Sequence, residues 1–230
     1  MTKHIGIVAS SSEGASLCYR TICLESSAYM GEHNHPEITM SSVPLAEHLK
    51  FIKNEDWVGL AKSMAYAANK LADAGANFVI CPDNTNHLAF SQLSQFTDVP
   101  FIHIAEAVIL EASQRKYDKV GLLGTKFLME GMVYQEYIER YDLVGIIPVE
   151  VDRKTINRII FEELVKGKIL EESNSILIDI INKLKDKKCD AVILGCTELP
   201  LIIDSAGSPL PTLDSTRLLA RAAIKRAIIE

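Results

Sequence analysis

Asp190–Pro200 reads DAVILGCTELP, and the order of residue types in it decides the fold. Ala191–Leu194 is an unbroken apolar run of strand length, the pattern of a strand buried on both faces of a parallel sheet. Gly195 then allows a tight turn, and Cys196, Thr197 and Glu198 follow at the strand's carboxyl end. That edge is where open α/β sheets carry their ligand crevices. Taken alone, a cysteine in such a place is most often one more small buried hydrophobe.

A second stretch changes that reading. Asn77–Asn84, NFVICPDN, aligns without a gap on Asp190–Thr197, DAVILGCT, so that Phe78–Cys81 matches the apolar run and Asp83 falls on Cys196. His4–Ser10, HIGIVAS, likewise echoes Lys119–Thr125, KVGLLGT. The polar turn follows after 73 residues in the first half (10 to 83) and 71 in the second (125 to 196). Two echoes in the same order and at nearly the same spacing predict two similar α/β lobes. Asp83 and Cys196 then hold equivalent positions, and facing lobes would point both into one cleft.

Bulk properties bound the alternatives. A chain of 230 residues can bury a substantial core, and 48% hydrophobic with 23% charged residues is ordinary globular composition. A formal charge of −6, with no basic run interleaved with aromatics, argues against nucleic acid as a partner. No apolar run reaches membrane-spanning length, and Met1–Gly6 leads into a strand without a signal-peptide pattern. Five cysteines, an odd count without a secretory leader, suggest free thiols in a reducing, cytoplasmic setting. Metal-type cysteine spacing, a phosphate loop and a dinucleotide fingerprint are all missing, so no metal or organic cofactor is expected.

Along the chain, the pattern predicts strands at Ile5–Ala9, Glu37–Ser42, Phe78–Cys81, Pro100–Ile104, Val120–Gly124, Val144–Pro148, Ala191–Leu194 and Pro209–Leu213. Helices are expected over Ala15–Met30, from a cap at Asn54 or Asp56 to about Asp73, over Glu106–Lys116, Met129–Tyr141, Asp152–Gly167, Lys168–Lys187 and Ser215–Ile229. The fold class is therefore α/β, two pseudo-symmetric three-layer lobes, each with a mostly parallel four-stranded sheet. With the crossings placed near Val99 and Pro209, the first lobe takes residues 1–98 plus 209–230 and the second 99–208.

These features resemble the aspartate/glutamate racemase superfamily, and the resemblance runs through nearly the whole chain. It rests on Ile5-Gly6-Ile7, Tyr19, His35-Pro36, Asn84-Thr85-x-His87, Gly124-Thr125, Gly195-Cys196-Thr197-Glu198 with Leu199-Pro200, and Asp214-Ser215-Thr216. Tyr19, His35-Pro36 and the Leu-Pro-x-x-Asp string around Asp214 favour the aspartate-racemase branch. The resemblance implies an amino-acid racemase free of pyridoxal phosphate, an active site between the lobes, and a homodimer. It also implies two cysteines facing each other across the substrate α-carbon, one thiolate removing the proton and one thiol returning it. Cys196 is the second of these. The first should immediately precede Asn84-Thr85, and that residue is Asp83. The opening turn also departs, with Ala9-Ser10-Ser11-Ser12 where the branch carries a Gly-Gly-Met-Gly-like string.

A proton donor and acceptor on opposite faces are what stereoinversion requires. A thiolate suits the task because its reference pKa is about 8.5; a carboxylate starting near 3.9 gives up about 6 kcal/mol of proton affinity. Burial, or a carboxylate substrate nearby, recovers part of that. Cys196 and Asp83 are thus the candidate catalytic pair. Asn84, Thr85 and Thr197 are candidate binders of the substrate α-carboxylate, against the plainer reading of turn capping. Glu198 is a candidate contact for the substrate ammonium, Ser10 and Thr125 for ligand contacts from the opening turns, Lys126 for a distal carboxylate, and His87 for an orienting role. The leading expectation is an aspartate or glutamate racemase acting on a small amino acid or dicarboxylic acid. The alternatives are a one-cysteine isomerase, decarboxylase or lyase on a small acid, and a small-acid binding protein.

Overall fold

A computed structural model describes residues 2–228. Met1 and Ile229, at the ends of the predicted opening segment and closing helix, lie outside the described residues. The chain forms two units, Met1–Ala107 with Thr216–Glu230, and Val108–Ser215. The first carries strands β1 (Ile5–Ala9), β2 (Ile38–Ser42), β3 (Phe78–Ile80) and β4 (Phe101–Ile102) in the order β2-β1-β3-β4. The second carries β5 (Lys119–Leu123), β6 (Val144–Ile146), β7 (Ala191–Leu194) and β8 (Thr212–Asp214) in the order β6-β5-β7-β8. Every strand pair is parallel, and the two orders are the same once β1 is matched to β5. The expected α/β architecture of two four-stranded lobes is what the chain adopts.

The repeat extends to single contacts. Asn77 Oδ1 accepts from the His4 amide at 2.7 Å, and its counterpart Asp190 accepts through Oδ2 from the Lys119 amide at 2.8 Å. Gly6 and Gly121, equivalent in the aligned stretches, each lie under a leucine of the following crossover helix. A Cβ would sit 3.2 Å from the Leu71 Cβ in one unit and 2.7 Å from the Leu184 Cδ1 in the other. Glycine there lets helix and sheet approach closely.

Strand alternation explains the layers of the first unit. Ile5 and Ile7 point to one face of β1, where they pack with Cys18, Ile22, Leu219 and Ile224 from the Ser12–Glu25 and Ser215–Ile228 helices. Gly6 faces the other way, under the Trp57–Asp73 helix. That helix is capped by Asp56, whose Oδ1 accepts from the Gly59 amide at 2.8 Å, and buries Leu60, Met64 and Leu71. Each such fully buried aliphatic side chain stabilises by about 1.5–3 kcal/mol. Because the closing helix completes this core, the first unit is discontinuous in sequence.

The expected boundaries shift. The strand at Phe101–Ile102 pairs with Val79 and Ile80 in the first sheet, and the strand at Thr212–Asp214 pairs with Val192–Leu194 in the second. Each was assigned to the lobe it now leaves, so the crossings follow these strands instead of preceding them. The physical reason is that a short apolar strand is equally compatible with either sheet edge until its pairing partner is known. The first helix also starts earlier, at Ser12, because Ser11 Oγ accepts from the Gly14 amide at 3.2 Å. It ends at Glu25, with a separate turn over Ser27–Met30. Among the described residues no helix is long and apolar enough to cross a membrane.

Candidate active site

Asp83 lies three residues beyond Ile80, which pairs with Ile7 of β1; Ser10 lies three beyond Ile7. The parallel register therefore brings the two strand ends together, and the Ser10 hydroxyl donates to Asp83 Oδ2 at 3.0 Å. Asp83 Oδ1 accepts from the Thr85 amide at 3.1 Å and the Asn86 amide at 3.4 Å. Three donors thus hold this half-buried carboxylate at the strand end. Thr85 and Asn84 are buried in this turn, Thr85 opening a 3-10 helix over Thr85–Ala89. The Thr85 amide is thus engaged with Asp83 in this structure.

His87 is buried against the same turn. Its Nε2 accepts from the Ile104 amide at 3.3 Å, so the proton sits on Nδ1, which donates to the Asp83 carbonyl at 2.9 Å. Phe90 stacks on its ring with centroids 5.5 Å apart. Burial pushes its pKa down to about 4 and keeps it neutral. Cys81, two residues before Asp83, is fully buried, and burial pushes its thiol up to about 12. It is a packing residue of the first unit's core.

The second unit presents the corresponding turn. Leu123 pairs with Leu194, which places Thr125 and Cys196 each two residues past the last paired positions. Gly195 has no left-handed backbone; instead a Cβ there would come within 2.9 Å of the Leu123 carbonyl and 2.5 Å of Leu128 Cδ2. Close approach of β5, not turn conformation, is what requires glycine. The Cys196 thiol donates to Glu198 Oε2 at 2.9 Å, and the Thr197 hydroxyl donates to the same oxygen at 2.8 Å. All three side chains are buried. One carboxylate oxygen thus holds the thiol and the hydroxyl together at the end of β7.

The helix beyond Cys196 is a single turn, Leu199–Ile202. Lys126 is mostly exposed, with Nζ 3.8 Å from Glu130 Oε2 on the next turn. Thr125 caps that turn, its Oγ1 accepting from the Leu128 amide at 3.2 Å.

Other buried polar residues meet the two turns from elsewhere in their units. Ser215 Oγ donates to the Leu194 carbonyl at 2.8 Å, bracing the end of β7, and the Tyr134 phenol hydrogen-bonds Ser215. Burial pushes that phenol well above its ordinary range. His48, on the Leu45–Lys53 helix, meets Asn86 below the Asp83 turn, with Nδ1 3.0 Å from Asn86 Nδ2. A polar residue four positions from buried Ile52 on one helical face was the only hint of it.

Burial pushes His48 down to about 4 as well. Unfolded, both histidines titrate near 6.5. Below that pH the unfolded chain binds more protons than the folded one. Stability is therefore intact at pH 7 and falls as pH drops from about 6.5 to about 4. By pH 5 each histidine costs about 2 kcal/mol. Urea unfolding at pH 7 and pH 5 should show this loss, and His87→Gln should reduce it by about 2 kcal/mol. An equal acid loss in that variant would contradict the assignment.

Comparison with known proteins agrees with this architecture. A candidate Asp/Glu racemase from Yersinia pestis superposes with a TM-score of 0.89 at 32% identity, covering 98% of this chain and 99% of that one. An aspartate racemase homologue from Pyrococcus horikoshii OT3 gives 0.84 at 32% identity, covering 99% of each. The broad specificity amino-acid racemase RacX of Bacillus subtilis (strain 168) is 25% identical over 165 residues, 72% of this chain and 71% of that protein. The model of the Asp/Glu/Hydantoin racemase family matches residues 5–223, and the chain belongs to that family.

Proposed function

We propose that this chain is a cofactor-independent racemase of an acidic amino acid, aspartate or glutamate, with Asp83 and Cys196 serving opposite faces of one α-carbon. The observation that carries the reading is the Cys196 thiol hydrogen-bonded to Glu198 at a strand end equivalent to the one bearing Asp83. The 32% identity to the two crystallographic relatives over nearly all of the chain supports the reaction class.

In one direction the Asp83 carboxylate takes the α-hydrogen as a proton, leaving the electron pair on the α-carbon. The Cys196 thiol then delivers its proton to the opposite face, and the thiolate is left. The other direction is the reverse: the Cys196 thiolate removes the α-proton, and protonated Asp83 returns its proton to the opposite face, leaving thiol and carboxylate as at the start. Ser10 and the turn amides hold Asp83 in register, and Thr197 holds Glu198.

One observation favours a second reading. Three donors already occupy the Asp83 carboxylate, as they would if it only organised the turn and Cys196 worked alone as an isomerase or lyase residue. Chiral chromatography after incubation with each enantiomer of aspartate and glutamate, without added cofactor, tests the proposal. Conversion of L to D and D to L is expected. A non-enantiomeric product, or recovery of every amino acid unchanged, would refute it.

A further inference from the structure

Under the Asp83 turn lies a buried polar chain that the reaction itself does not use. His48 is 0% exposed, and both of its ring nitrogens have partners on other elements. Nε2 lies 3.1 Å from Ser63 Oγ on the Trp57–Asp73 helix, and Nδ1 lies 3.0 Å from Asn86 Nδ2. An amide NH2 only donates, so Nδ1 is an acceptor and Nε2 carries the proton donated to Ser63. Asn86 is also 0% exposed. Its Nδ2 reaches Cys81 Sγ at 3.6 Å, at the end of β3, and its backbone amide donates to Asp83 Oδ1 at 3.4 Å.

Asn86 Oδ1 is buried with no hydrogen-bond partner. Such an oxygen costs stability, so an apolar residue would serve the core better. The amide is oriented from one side only, by His48 and Cys81. What this arrangement does accomplish is to tie two helices and a strand end to the turn whose amides hold a carboxylate.

We propose that His48 is a positioning residue that acts through Asn86 to fix the Asp83 carboxylate. The chain Ser63–His48–Asn86 sets the rotation of the 3-10 turn and hence the position of Oδ1. The kinetic part rests on the racemase reading; the structural part does not. Displacement of a reacting group by about 1 Å is enough to cost about 10²-fold in rate.

Three variants separate this role from general support of the core. His48→Leu removes the acceptor that faces Asn86; His48→Asn restores one close to the Nδ1 position; Ser63→Ala loosens the outer end without touching the turn. The first readout is the carboxyl carbon-13 resonance of Asp83, assigned by its loss in Asp83→Asn. It should move in His48→Leu, return toward its native position in His48→Asn, and move by a smaller amount in Ser63→Ala. An unmoved resonance in folded His48→Leu overturns the proposal whatever the enzyme catalyses. Should His48→Leu not fold, an unmoved resonance in Ser63→Ala overturns it equally.

The second readout is loss of α-deuterium from each labelled enantiomer of the substrate. Inversion should fall about 10-fold or more with KM within about twofold, while exchange on the Cys196 face persists. Equal loss of exchange on both faces, with no recovery in His48→Asn, overturns positioning through Asp83. No exchange by the native protein refutes the racemase reading and the kinetic part with it, leaving the resonance to decide the structural part.

Discussion

Cys196→Ala should lose nearly all turnover, about 10³-fold or more, while unfolding at close to the native midpoint. General acid–base groups contribute about 10²–10⁴-fold, and Cys196 is proposed to act in both half-reactions, as acid in one direction and base in the other. The fold should tolerate the change because the side chain is small and 9% exposed, with its backbone fixed by neighbours. Gly195 donates to the Leu123 carbonyl at 2.7 Å, and the Cys196 carbonyl accepts from the Leu199 amide at 3.1 Å. Cys196→Ser keeps a donor to Glu198, but a hydroxyl gives up its proton far less readily than a thiol, so it should be nearly as inactive. Chiral chromatography for rate and urea unfolding for stability are the measurements. Native turnover in either variant would remove the thiol from the mechanism.

Asp83→Asn decides what kind of enzyme this is. The amide oxygen can still accept from the Thr85 and Asn86 amides, and its NH2 can donate to the Ser10 oxygen, so the turn should keep its shape. Only the proton acceptor is lost. Inversion should then fall in both directions by about 10²-fold or more, with KM little changed. Asp83→Cys would restore a paired thiol and should recover part of the rate. Should Asp83 serve only to bind substrate or brace the turn, Asp83→Asn would instead raise KM and leave kcat near native. Steady-state kinetics from each enantiomer separate the two outcomes.

Much of the architecture was legible in the sequence because buried parallel strands have a strong local signature. The two aligned stretches identified equivalent positions for Asp83 and Cys196, and the pairing of Ile7 with Ile80 and of Leu123 with Leu194 places them so. Ser10 was legible as a residue of the opening turn, but not its bond to Asp83, 73 residues away. The unit boundaries were misplaced because Phe101–Ile102 and Thr212–Asp214 are short apolar strands whose sheet is chosen by long-range pairing. Gly195 was read as a turn glycine, whereas the constraint is a neighbouring strand's carbonyl. His48 and Asn86, 38 residues apart, meet only through tertiary packing.

The central claim is that two unlike groups move protons on opposite faces of one carbon. Its most direct test is the early time course of each acidic enantiomer in deuterium oxide, followed by mass spectrometry after chiral separation. The two-group mechanism predicts that the newly formed enantiomer carries one solvent deuterium at the α-carbon from the first turnovers, while the recovered substrate carries almost none. A single group exchanging its proton on one face would instead load deuterium into recovered substrate faster than into product. Deuterium appearing in the substrate without inversion would contradict the account.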